Sequence, residues 1–98
     1  MLFLAQIENN PGMEDVRREN YDAHVDYLRN NIDVIRAAAS LKPTPDGPTV
    51  GIVWIIEAAS KADAEKACQG DPFYKAGLRR SISVLHFVKS VTDRTASI

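Results

Sequence analysis

Val50-Gly51-Ile52-Val53-Trp54-Ile55-Ile56-Glu57-Ala58 is the stretch on which the fold turns. Its β-branched and aromatic side chains favour an extended strand. A strand with one wet face alternates apolar and polar residues, and this one does not. Val50, Ile52, Val53, Trp54, Ile55 and Ile56 leave neither face polar. The apolar run Val50–Ile56 is seven residues long, far short of the roughly 20 that a membrane-spanning helix needs. Helices of the same chain can cover one face. The remaining sequence offers no second cover, so the reading is that a partner subunit supplies it.

Outward from this strand, the preceding Lys42–Thr49 holds Pro43, Pro45, Pro48 and the pair Asp46-Gly47, a loop of hairpin character. Before it, Ile32–Leu41 mixes strand-favouring Val34 and Ile35 with helix-favouring Ala37-Ala38-Ala39. It is read as a strand because it then forms a hairpin with Val50–Ala58. A helix is predicted from about Met13 to Asn30, with Glu14 and Asp15 in its first turn. Tyr21, Val25, Leu28 and Ile32 recur at helical spacing and define its inward stripe. Leu2–Ile7 reads as the first strand, followed by the turn cluster Asn9-Asn10-Pro11-Gly12.

On the other side, Ser60-Lys61-Ala62-Asp63 has the capping-box spacing that opens a second helix. Ala64, Ala67 and Cys68 are its apolar stripe, and Gly70 suits its C′ position. Asp71-Pro72 pairs an N-cap residue with a first-turn proline, opening a short helix that ends near Gly77. Ser81–Val91 reads as the last strand and Asp93–Ile98 as a polar tail. The order β-α-β-β-α-α-β fits an α+β, ferredoxin-like split β-α-β domain with a four-stranded antiparallel sheet. In dimers of this type the open sheet faces pack together.

Composition narrows the function. The 98 residues, 45% hydrophobic, fit one domain, with no room for a separate cofactor domain. A net charge of −1 argues against a generic nucleic-acid binder. The start Met-Leu-Phe-Leu-Ala lacks the basic segment of a signal peptide. One cysteine, Cys68, excludes an internal disulfide and reads as a small core residue. These features point to a soluble, cytoplasmic protein. Two histidines without zinc-ligand spacing give no metal motif, and no phosphate-binding or dinucleotide glycine loop is present.

His24 follows Arg17 by seven residues and Tyr21 by three. At 100° per residue, Arg17 and His24 differ by about 20° around the helix and roughly 10 Å along it. The three form one ridge that suits an anionic or hydroxylated ligand, or else an ordinary solvated face. His86, between Leu85 and Phe87, reads as a structural or surface residue. Asp71 alone reads as a helix cap.

Met1-Leu2-Phe3, the Arg17/His24/Leu28 spacing, Ile56-Glu57-Ala58, the Ser60–Ala67 helix and Asp71-Pro72-Phe73-x-x-Ala76-Gly77 together resemble the YCII-related family. Ile82-Ser83-Val84-x-x-Phe87 completes a pattern covering nearly the whole chain, read as one domain over 1–98. The chain departs from the family at Ala39-Ser40-Leu41, where members usually carry a Gly-Pro step. The resemblance implies a homodimeric α/β barrel in which His24 pairs with Asp71 as general base and its orienting partner. It also implies, among the activities of the family, loss of HCl from a chlorinated hydroxyhydroquinone, with no metal, nicotinamide or flavin. Arg17 and Tyr21 would then bind the small aromatic substrate, and Trp54 would flank its ring. A proton-transfer isomerase of the muconolactone type and a non-catalytic dimeric binding module are the competing readings.

Overall fold

The computed structural model describes residues 1–93 and 98. Seven elements follow in chain order: β1 (Leu2–Asn9), α1 (Glu14–Asn30), β2 (Ile35–Leu41), β3 (Gly51–Glu57), α2 (Lys61–Gln69), α3 (Pro72–Lys75) and β4 (Arg79–His86). The strands form one antiparallel sheet in the order β2-β3-β1-β4, the α+β ferredoxin-like arrangement. The apolar β3 is an inner strand.

Register sorts the side chains onto two faces. Phe3 pairs with Ile56, Ala5 with Trp54 and Val84, and Ile7 with Ile52 and Ile82. This face meets Ala64 and Cys68 of α2, and with Ile35 it makes the core. On the other face Leu4 pairs with Ile55 and Leu85, and Ala39 with Val53. No element of the described chain covers that face, and Leu85 and Leu41 stay 49% and 46% exposed.

Several boundaries differ from the sequence reading, each for a local reason. Ile32–Val34 form a turn rather than strand, because the N–H groups of Val34 and Ile35 both donate to Asn31 O. β4 begins at Arg79 and ends at His86, not at Ser81 and Val91. The Phe87 N–H still donates to Leu2 O, the first residue of β1, and Val88 beyond it is 84% exposed. The expected tail, apart from Asp93 and Ile98, lies outside the described residues.

The inward stripe of α1 is also rotated from the apolar one expected. Ile32 lies past the helix end, Tyr21 is exposed, and Tyr27 packs on the core instead. Val25 and Leu28 are half-covered as expected, and the covered line also takes in Val16, Asn20, His24, Tyr27 and Asn31. Its polar members are satisfied individually: Asn20 donates to Val16 O, Asn31 to Tyr27 O, and the Tyr27 hydroxyl to Ala67 O at 2.6 Å. Paired polar groups let a mixed face pack where periodicity of apolar residues alone looks elsewhere.

α2 is capped as expected, with Ser60 Oγ accepting from the Asp63 N–H. Gly70 ends α2 in a right-handed conformation, φ −75°, so left-handed freedom is not why it is glycine. A Cβ there would stand 2.5 Å from the Tyr27 hydroxyl oxygen. Gly77, at φ +80°, does use the left-handed region, directly after α3 and its C-cap Ala76, as Gly12 does at φ +74° ahead of α1.

Candidate active site

The close approach of Tyr27 to Gly70 ties α1 to the end of α2, and the next residue is Asp71. Asp71 caps α3: its Oδ1 accepts the Phe73 N–H at 3.0 Å. The same oxygen lies 2.7 Å from His24 Nδ1 of α1. Oδ2 accepts from Arg79 of β4 at 3.0 Å. Asp71 is 1% exposed, so a helix cap, an imidazole and a guanidinium converge on one buried carboxylate.

The electrostatics favour the ionised acid. Burial pushes the Asp71 carboxyl up. Hydrogen bonds from His24 and the Phe73 N–H, with the charges of His24 and Arg79, outweigh it and hold the group below its ordinary range. An ionised carboxylate only accepts, so the His24 nitrogen facing it carries the proton. Nε2 makes no hydrogen bond among the described residues, where no buried side-chain nitrogen lacks a partner. That nitrogen is therefore open, with its lone pair available.

His24 stacks on Phe73, ring centroids 3.9 Å apart and planes 9° from parallel, and Trp54 stands 6.4 Å away. These rings hold the imidazole plane. Above it lies a cleft of about 320 Å³, lined by Arg17, Tyr21, His24, Ser40, Trp54 and Arg79 among others. That volume suits a single substituted ring. Arg17 sits over the Tyr21 ring at 5.4 Å, which keeps its cation at the cleft. Among the described residues, no carboxylate lines this cleft.

All five residues singled out from the sequence thus meet at one place. His24 and Asp71 are in contact, Arg17 and Tyr21 share the cleft wall, and Trp54 lies in its floor, 1% exposed. Ala39 and Ser40, where the family pattern is broken, are part of the wall. His86 is exposed, with its ring 4.7 Å from Phe3. Phe73 and Arg79 complete the site and were not singled out as site residues. The Asp-Pro-Phe motif carried a signal for Phe73, whereas the adjacent pair Arg79-Arg80 gave none that distinguishes one arginine from the other.

Cys68 is buried, and burial pushes its thiol up to about 11. A thiol so placed is unreactive at neutral pH. Burial, then the negative charge of Asp71, also raises the Tyr27 phenol. The described residues contain no cluster of side chains able to hold a metal ion and no helix long and apolar enough to cross a membrane.

The family described as YCII-related domain matches residues 1–88. Among solved structures, the chain is similar to 5-chloro-2-hydroxyhydroquinone dehydrochlorinase from Burkholderia phenoliruptrix AC1100, determined in complex with 2,5-dihydroxybenzoquinone. The TM-score is 0.76 and the identity 32%, covering 90% of this chain and 94% of that one. No curated protein sequence matches the chain.

Proposed function

This chain belongs to the YCII-related domain family, and from that premise we propose that it is a lyase removing HCl from a chlorinated hydroxyhydroquinone. The observation that carries the reading is the 2.7 Å bond between His24 and a buried Asp71 beneath a ring-sized cleft. Likeness to a dehydrochlorinase at 32% identity supports the choice of substrate class.

In this account His24 Nε2 takes a proton from a ring hydroxyl. Imidazole suits that task near neutral pH. Asp71 stabilises the imidazolium and keeps the ring in place. The electron pair released makes a dienolate, with Arg17 and Tyr21 next to the developing oxygen charge. Return of the proton to the chlorine-bearing carbon makes that carbon tetrahedral. Loss of a second hydroxyl proton then drives electrons through the ring and expels chloride. The substrate loses one proton and one chloride and becomes a hydroxybenzoquinone. The ring's own electrons reduce the carbon that loses chlorine, so the balance needs no external oxidant.

The reading includes a homodimer formed through the open sheet face. Leu4, Ile55 and Leu85 make its apolar centre. A second copy covering them would remove from water what β3 cannot hide within one chain.

The test is chloride release from chlorinated hydroxyhydroquinone, with spontaneous loss subtracted. One chloride per quinone formed, at a rate proportional to protein, is expected. No release above background contradicts the lyase reading. Proton exchange into the ring without chloride would point to the isomerase class instead.

A further inference from the structure

Arg79 and Arg80 are adjacent, yet a strand sends neighbouring side chains to opposite faces, and register decides which goes where. Ile7 faces Ile82 and Glu8 faces Ser81, but Asn9 faces Arg79, with the irregularity between Glu8 and Asn9. This bulge inserts one residue and reverses the alternation. Arg80 goes to the open face, where it pairs with Glu8. Arg79 goes to the helix side, under the cleft, 4% exposed.

There the guanidinium is held from several directions. One terminal nitrogen donates to Asn9 Oδ1 at 2.8 Å and the other to Asp71 Oδ2 at 3.0 Å. The Phe73 and Trp54 rings lie 5.2 and 6.0 Å from its central carbon. A planar fork meets two acceptors at once, which a lysine ammonium at the end of a flexible stem cannot reproduce.

We propose that Arg79, aimed into the site by the β1–β4 bulge, is the positioning residue that sets the tautomer of His24. The proposal rests on the reading of His24 as the base. Asp71 Oδ1 already takes two donors, from His24 and Phe73. Oδ2 takes one, from Arg79. With that partner in place Asp71 only accepts, so His24 must present Nδ1–H to it, and Nε2 faces substrate without a proton. Without Arg79, Oδ2 is a buried acceptor with no donor. The carboxyl then gains by taking a proton. Once it has one, it can donate to Nδ1, which moves the imidazole proton to Nε2. A base in that tautomer has no lone pair towards substrate.

The experiment reads the tautomer directly, by nitrogen-15 NMR of histidine-labelled full-length protein without substrate. His24 in the unaltered protein is expected to show the Nδ1–H form alone. Arg79→Met is expected to show a mixture or the Nε2–H form, and Arg79→Lys an intermediate pattern. Arg80→Met should leave the spectrum unchanged. In turnover, Arg79→Met should lower kcat by about 10–100-fold, with a much smaller change in KM. The double variant Arg79→Met/Asp71→Asn should be no slower than Asp71→Asn alone. A folded Arg79→Met that keeps the Nδ1–H form overturns the proposal, and so does an Nε2–H form in the unaltered protein. Where Arg79→Met does not fold, Arg79→Lys decides by the same criterion. The NMR readout needs no substrate, so a protein that releases no chloride yet shows the expected tautomers refutes the lyase reading alone.

Discussion

On the helix-covered face of the sheet, Phe3, Ala5, Ile7, Trp54 and Ile56 are buried, and Asp71 and Arg79 among them are bonded to each other and to neighbours. On the opposite face the central residues are Leu4, Ile55 and Leu85, and Leu85 remains half exposed. Both faces have an apolar centre, but only the first holds charged groups buried; on the second, Gln6, Glu8, Arg80, Ser81 and Ser83 lie around the centre, with Glu8 and Arg80 paired at the surface. Low polarity strengthens every interaction between charges, and it makes any unpaired charge costly. A charged carboxylate can therefore be held in place only where all its partners are present. The open face carries no such buried arrangement, and its apolar centre is what the proposed homodimer would cover. Arg79 and Arg80 express the contrast in one dipeptide. The first is 4% exposed and fixed to Asp71, and the second is 56% exposed on a surface ion pair.

Substitutions can break this contrast, in decreasing order of effect. His24→Ala should cost about 10²–10⁴-fold in turnover, the range for a general base, with melting temperature little changed. Full activity in the folded variant would remove His24 from the mechanism. Asp71→Ala leaves Arg79 buried without its counter-charge and should destabilise by about 3–5 kcal/mol, read by urea titration. Because the folded-state pKa of Asp71 is lowered, its stabilisation is complete above the ordinary carboxylate value near 3.9. It is lost as pH falls below that value towards the lowered one. Asp71→Asn should flatten that limb.

On the open face, Ile55→Asp should weaken self-association by about 100-fold or more, corresponding to about 2.8 kcal/mol. Light scattering should report the monomer mass with the fold retained. Gly70→Ala drives a Cβ against the Tyr27 hydroxyl and should cost about 1–3 kcal/mol. Adding Tyr27→Phe should recover part of that, which a simple loss of glycine flexibility would not. Arg80→Met should change stability by less than about 1 kcal/mol, as for other exposed pairs.

The sequence carried the architecture because strands, caps and turns are written in short segments. Val50–Ala58 announced a strand, Ser60-x-x-Asp63 and Asp71-Pro72 announced two helix starts, and the structure has all three. The ridge Arg17, Tyr21 and His24 was legible from helical geometry alone. The contact between His24 and Asp71 was not, since 47 residues separate them and only the packing of α1 on α3 closes the gap. Arg79 was hidden for a different reason. A bulge moves a side chain from one face to the other, and the pair Arg79-Arg80 looks the same in either register. Gly70 suits a helix C′ position, where glycine usually takes the left-handed conformation. Here its missing Cβ makes room for a tyrosine distant in sequence.

The most direct test of the account is a crystal structure of the protein with 2,5-dihydroxybenzoquinone. The account predicts the ring in the cleft between Tyr21 and Ser40, with one ring oxygen about 2.6–3.2 Å from His24 Nε2 and Asp71 still bonded to Nδ1. A ring bound outside this cleft, or one whose oxygens all lie beyond reach of Nε2 with no bridging water, would contradict it.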